Sequence, residues 1–345
     1  MSAVEEWTCL DGKNLGSETV QILATKDWIY AAGEGEVARI DPRDGKEHAR
    51  KRLSPSSRSA VTLATTANGQ IIAGELGSVY GLDPLSLQQQ WKNPLSGYGY
   101  QHITLLANGN DIYMGTNGYL ATLDANDGGK IKKENGLKGY GKELISLALN
   151  ADRSRLFLGT NGYLVSLRTD NLDIQWYAGL WTGVPHDDWS VEIALDEPRG
   201  QIYAGSNGCF SVVGLEGDKR FLTRLKFNAG HVTVASIPEK PMALVAIQER
   251  VQQRSIASMP PDVIWSGELS GIVVNRTDIL HMNGRTFFHI QGQIWELTAE
   301  NKLEARLQVK QHPDKRWKKM QFFPLPEQGK FLWGYDGYYG CVKLT

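Results

Sequence analysis

IYMGTNGYLATLD, running from Ile112 to Asp124, is the stretch that decides the fold. An apolar run meets Asn117-Gly118 and resumes as a second run with alternating apolar residues. Asn-Gly between two such runs signals a two-residue hairpin, because a type I′ turn needs positive φ at both central residues. The phrase returns as IYAAGEGEVARID from Ile29, IIAGELGSVYGLD from Ile71, LFLGTNGYLVSLR from Leu156 and IYAGSNGCFSVVG from Ile202. One hairpin has been written five times.

The second turn glycines are Gly35, Gly77, Gly118, Gly162 and Gly208, at intervals of 42, 41, 44 and 46 residues. Gly292 and Gly337 take the same place in FFHIQGQIWEL and FLWGYDGYYGCVKL. The interval of 84 between Gly208 and Gly292 holds one degenerate unit. Its strands are expected near Met242–Ile247 and Arg254–Ser258, with a longer turn over Gln248–Gln253. That makes eight units, with seven as the alternative if residues 230–270 are an insertion.

Each unit has room for four strands. The third is followed by a turn such as Asp41–Gly45 or Asp124–Gly128, and the fourth often carries a tryptophan: Trp91, Trp176 or Trp265. Four-stranded units repeating at this period are the mark of propeller blades. The last unit ends at Thr345 without a fourth strand, while Val4–Leu10 reads like the outer strand LQQQWKNPL. The expectation is an all-β, eight-bladed β-propeller of four-stranded antiparallel blades, closed into a ring by the N-terminal strand. Closure removes the open sheet edge. Blade boundaries are expected at 11–53, 54–92, 93–134, 135–177, 178–227, 228–268, 269–310 and 311–345, with 1–10 as the outer strand of the last.

The hairpin, the aspartate, the second glycine turn and the outer-strand tryptophan resemble the PQQ-like, or quinoprotein-alcohol-dehydrogenase-like, propeller repeat. The resemblance covers nearly the whole chain and implies a fold rather than a chemistry. The units at Gly35 and Gly118 lack the tryptophan, and the unit at Gly162 lacks the aspartate.

Composition excludes several classes. The net charge is -1, so no electrostatic case for nucleic acid arises. The one basic run, Lys315–Lys319 with Trp317 inside it, reads as a solvated loop and strand end. MSAVEEWTCL has neither a basic nor an apolar signal region, and no run nears the roughly 18 apolar residues of a membrane span. Cys9, Cys209 and Cys341 are too few and scattered for a disulfide framework or zinc site. A cytoplasmic protein is expected, with Cys9 and Cys341 reduced on neighbouring strands. Gly33-Glu34-Gly35 with Ala38 imitates a dinucleotide fingerprint, but that motif must open a helix, and here a strand follows.

A site is expected in the loops that lead from one blade's outer strand to the next blade's inner strand. Those loops vary, and variable loops on a rigid scaffold carry function. They hold Tyr98, Tyr100 and His102; Tyr140; Trp181, His186, Asp187, Asp188 and Trp189; and His231, while Glu249 and Arg250 share the same face. Converging on the ring axis, they would form an apolar-walled pocket with a few polar groups. His186, Asp187 and Asp188 are the candidates for proton transfer. Tyr98, Tyr100, His102, Tyr140, Trp181, Trp189, His231, Glu249 and Arg250 are candidates for substrate binding. No metal and no cofactor are expected.

In size, repeat architecture and lack of a signal the chain also resembles fungal biosynthetic propellers, the hetero-Diels–Alderases of tropolone–sesquiterpene pathways. That resemblance implies a cofactor-independent pericyclase with small apolar or aromatic substrates. A tropolone-type or phenolic precursor would be dehydrated to a quinone methide, then captured by a terpene alkene. The alternatives are a carbohydrate-binding lectin, a protein-interaction scaffold, or a quinone-dependent dehydrogenase.

Overall fold

The computed structural model describes residues 3–9, 14–54, 59–99, 101–137, 144–180, 190–225, 230–269, 276–309 and 319–344. These form eight four-stranded antiparallel sheets, the blades of an eight-bladed β-propeller. Within the first seven blades the strands pair in chain order from the axis outward, and in the eighth the N-terminal strand takes the outermost place. The inner strands are Gln21–Ala24, Thr62–Thr65, Thr104–Asn108, Ser146–Leu149, Val191–Asp196, Val232–Ile237, Asp278–Met282 and Gln321–Leu325. Each touches the next, and the first touches the last. The ring is closed.

The hairpins between second and third strands carry the backbone the sequence called for. Asn117 and Gly118 have φ of 47° and 76°, and Asn207 and Gly208 have 45° and 72°. Gly205 shows how the blades pack. A Cβ there would stand 2.3 Å from the carbonyl oxygen of Val232, so only glycine lets the sixth inner strand lie this close to the fifth blade. Gly334 does the same at the seam, 2.4 Å from the Val20 carbonyl oxygen. Buried aliphatic and aromatic side chains fill the rest of each wall, as where Phe287 of blade seven meets Phe331 of blade eight at 5.4 Å between centroids.

The N-terminal strand, Ala3–Thr8, pairs with Tyr338–Leu344 as the outer strand of blade eight. Glu6 ties it to the second strand through Lys330, at 2.7 Å. Trp7 then bridges to blade one: its indole covers Gly45, and its Nε1 donates to the Pro42 carbonyl at 3.3 Å. Trp176 and Trp265 repeat the move, donating to the Leu215 and Asn301 carbonyls at 3.0 and 2.9 Å. The outer-strand tryptophans are therefore staples between blades. Cys9 and Cys341 are buried beneath this seam with no disulfide between them, and burial pushes the Cys341 thiol up to about 12.

The degenerate sixth blade differs from the sequence expectation in one respect. Its second and third strands are Met242–Ile247 and Arg250–Ser255, with Ile247 opposite Arg250. The turn is therefore only Gln248-Glu249, with Gln248 at φ 52° in the place asparagine holds elsewhere. A longer turn was expected because no asparagine or glycine marks it. The neighbouring strands impose the tight turn regardless.

Candidate functional site

Every inner strand starts at the face where the blade-to-blade loops enter. The residue opposite the second-strand glycine is a small hydroxyl in three blades: Thr62 opposite Gly74, Thr104 opposite Gly115, and Ser146 opposite Gly159. The hydroxyl fastens the next blade. Thr62 Oγ1 donates to the Ile103 carbonyl at 2.8 Å, and Ser146 Oγ to the Val191 carbonyl at 2.6 Å. Blades five and seven place carboxylates here instead, Glu192 opposite Gly205 and Asp278 opposite His289.

Two residues earlier in each blade stand Thr19, Ala60, His102, Leu144, Ser190, His231, Arg276 and Lys319. Four of the eight can carry positive charge, and three of those four converge on Glu192. Lys319 Nζ lies 3.2 Å from Glu192 Oε1, His231 Nε2 lies 3.3 Å from the same oxygen, and the Arg276 guanidinium donates to it as well. Among the described residues Glu192 Oε2 accepts no hydrogen bond. The side chain keeps 23% of its surface open.

Burial alone would raise the Glu192 carboxyl. Lys319 and Arg276, aided by His231, reverse this and hold it well below the usual carboxylate range. Asp278 backs the cluster. It takes Arg276 Nε on Oδ1 at 2.8 Å and the Met320 N–H on Oδ2 at 2.7 Å. Burial opposes its charge, but Arg276, His289 and Lys319 bring its carboxyl down to about 2. Between its two carboxylates the Arg276 guanidinium is held charged, above its ordinary range despite its burial. His289 Nε2 accepts the Gly292 N–H at 2.8 Å, so a neutral ring carries its proton on Nδ1, facing Asp278 Oδ2 at 3.4 Å. His231 Nδ1 meets Ser190 Oγ at 3.1 Å.

His102 completes the picture from blade three. Burial, and then the charge of Lys319, push its imidazole down to about 4, so it is neutral at physiological pH. The described mouth of the axis thus holds two carboxylates, two permanent cations and three imidazoles. Its described part is polar, and the aromatic walls expected at Trp181 and Trp189 lie outside the described residues. Its carboxylates are already paired with cations, and among the described residues no three His, Cys, Asp or Glu side chains are placed to hold a metal ion. The arrangement can bind a molecule offering both a hydroxyl and an oxygen acceptor, and it can stabilise negative charge on that acceptor.

Of the residues singled out from sequence, His102 and His231 stand at this mouth. Tyr98 does not. It is buried between blades two and three, its ring against Tyr119 at 5.2 Å and its hydroxyl donating to Glu134 of an outer strand. Burial and Glu134 raise that hydroxyl above its ordinary range. Glu249 and Arg250 belong to the tight hairpin of blade six, where Arg250 lies opposite Glu268 of the outer strand and lines a small outer cleft. Tyr100, Tyr140, Trp181, His186, Asp187, Asp188 and Trp189 lie outside the described residues; 181–189 leads directly into Ser190.

Glu192, Arg276, Asp278, His289 and Lys319 were not anticipated. Lys319 had been grouped with the basic run read as solvated, yet it is half of an axial ion pair. Aligning the starts of the inner strands and the residues just before them would have exposed all but His289, which stands on a second strand where five other blades have glycine and two have alanine.

No protein-family model matches the chain, and no curated protein sequence matches it. Solved structures do. BamB from Moraxella catarrhalis is similar with a TM-score of 0.70 at 14% identity, covering 100% of this chain and 98% of that one. Sqt1 from Saccharomyces cerevisiae gives 0.76 at 10% identity, with the same coverages of 100% and 98%. A chain of a mitotic checkpoint complex gives 0.61 at 12% identity, covering 88% and 92%. At these identities the likeness establishes the β-propeller fold alone. Among the described residues no helix is long and apolar enough to cross a membrane.

Proposed function

We propose that the axial mouth binds a small molecule with neighbouring hydroxyl and carbonyl oxygens, and that the chain transforms it without a cofactor. The observation that carries this reading is the division of labour on Glu192. One oxygen is loaded by Arg276, Lys319 and His231, and the other, which takes no hydrogen bond among the described residues, would accept a ligand hydroxyl beside the Lys319 ammonium. A carboxylate held this low is an acceptor rather than a proton store. Lys319 supplies the matching donor.

A tropolone or ortho-substituted phenol fits that donor–acceptor pair, and the resemblance to hetero-Diels–Alderases gives it a reaction. The ring hydroxyl gives its proton up to solvent while the hydroxyl of the hydroxymethyl group takes one and leaves as water, so the CH2 stays on the ring as a quinone methide. Lys319 and Arg276 stabilise the ring oxygen as it gains charge. The leaving hydroxyl takes its proton from His186, Asp187 or Asp188, the residues proposed for transfer. The quinone methide then adds across an alkene, forming one C–C and one C–O bond, while Trp181 and Trp189 exclude water and align the partners. Calorimetric titration with tropolone tests the binding step: saturable one-site binding that Lys319→Met weakens by about tenfold or more supports it. Binding untouched by Lys319→Met would remove it.

A second reading is a scaffold for a protein or glycan partner. Tyr119, Leu144 and Tyr177 favour it, being 38%, 49% and 60% exposed on blades three and four and the loop between them. That a similar fold comes from a mitotic checkpoint complex points the same way by analogy. Capture of a defined partner or glycan, lost on Tyr177→Ser, would support it.

A further inference from the structure

The inner strands end at the opposite face of the ring, and there a cleft of about 690 Å3 opens between blades six and seven. Blade seven departs from the repeat here in three places. Thr286 stands where other blades have Ile29, Ile71, Ile112, Leu156, Ile202 and Phe331. His281 replaces residues such as Ala24, Ala107 and Leu149, and Glu296 replaces Gly81, Thr122, Ser166 or Val212. The Thr286 position is apolar in the sister blades, and Glu296 places a carboxylate where none of them has one.

Glu296 is nearly buried and takes two guanidinium groups, Arg285 Nε on Oε1 at 2.6 Å and Arg306 Nε on Oε2 at 2.7 Å. Arg306 is completed by Glu304 at 2.8 Å. Arg285 is not completed. Its guanidinium lies 5.1 Å over the Phe287 ring, its side chain is only 16% exposed, and its Nη2 has no partner among the described residues. A guanidinium has five N–H donors, and leaving buried ones unmet costs free energy. The terminal edge lacks a planar two-oxygen acceptor, the geometry of a carboxylate.

The rim selects further. Glu239, Glu300 and Glu304 line the opening with Lys240, Glu239 beside His281 and Glu304 beside Arg306. A bare anion would pass three carboxylates to reach Arg285, whereas a ligand that also carries an ammonium group is attracted by them. We infer that this cleft binds a zwitterion, its carboxylate on Arg285 and its ammonium among Glu239, Glu300 and Glu304. That chemistry belongs to a free amino acid or to the C-terminal end of a short basic peptide.

Calorimetry on the full chain tests it with free lysine and the peptide Gly-Gly-Lys as the two sources, and with acetate and n-butylamine as single-charge controls. At least one zwitterion should bind saturably, and whichever binds more tightly names the source. Arg285→Lys keeps a charge beside Glu296 but loses the fork, and should weaken binding about tenfold. Glu300→Gln, on the exposed rim, should weaken it severalfold and decides the matter if Arg285→Lys does not fold. Lys319→Met, at the axial mouth, should leave it unchanged, which separates this site from the one proposed above. Failure of both zwitterions to bind, acetate binding as well as either, or indifference to Arg285→Lys and Glu300→Gln would overturn the inference.

Discussion

Glu192 and Lys319 are 127 residues apart in the chain and 3.2 Å apart at the mouth of the axis. The fifth and eighth blades meet through this pair, and Arg276 and His231 bring in the seventh and sixth. Neutralising one member leaves the cations facing each other. Glu192→Gln should therefore cost roughly 2–4 kcal/mol in chemical denaturation. Lys319→Met added to it should recover part of the loss, because the pair is coupled. Strict additivity of the two changes would show that the contact contributes nothing.

Acid should attack the same place. Glu192 and Asp278 both titrate below their ordinary range in the fold, Asp278 at about 2. A depressed carboxylate contributes stability that is present above its unfolded pKa and lost as pH falls through its folded value. Urea midpoints should therefore fall steeply from about pH 4 toward pH 2, the unfolded Asp and Glu values lying near 4. In Asp278→Asn that slope should be visibly shallower. An unchanged slope would mean that Asp278 is not charged in the fold.

His102 should behave as a buried neutral ring. Its folded value is near 4, below the ordinary 6.5. The unfolded chain thus binds the proton more readily, so this group's contribution is intact above about pH 6.5 and declines as pH falls toward 4. Its Cε1–H resonance should stay flat from pH 8 to about 5. A midpoint near 6.5 would place the ring in open water.

Ring closure is testable at Trp7. Trp7→Ala removes the indole over Gly45 and the bond to Pro42, and should cost roughly 3 kcal/mol. Deleting residues 1–10 should lower the melting temperature much further, since it unpairs the whole edge of Tyr338–Leu344. A melting curve unmoved by the deletion would contradict the closure.

The fold was legible because its information is local and repeated. Asn117-Gly118 or Asp336-Gly337 dictates a hairpin without reference to the rest of the chain, and the glycine interval counts the blades. Blade six was harder to place because Gln248-Glu249 adopts a tight turn only under its neighbours' constraint. The site was legible in part. His102 and His231 could be placed at strand starts because the repeat fixes where inner strands begin. Glu192 looked like any strand carboxylate, and Lys319 like the end of a basic run, since nothing local records that side chains of blades five and eight meet. Tyr98 misled for the opposite reason. Its loop context suggested an open face, whereas Glu134 of an outer strand draws it into the wall.

We propose that the axial mouth around Glu192 is a small-molecule site at which chemistry occurs. The most direct measurement mixes the protein with a hydroxymethyl tropolone-type precursor and a macrocyclic terpene alkene, and follows the rate and enantiomeric excess of the adduct. The account predicts a rate above background, a single dominant enantiomer, and a loss of about 100-fold or more in His186→Ala, Asp187→Ala or Asp188→Ala. Lys319→Met should lose a comparable factor, as an oxyanion donor does. A racemic adduct formed at the background rate, equally with wild type and Lys319→Met, would contradict it.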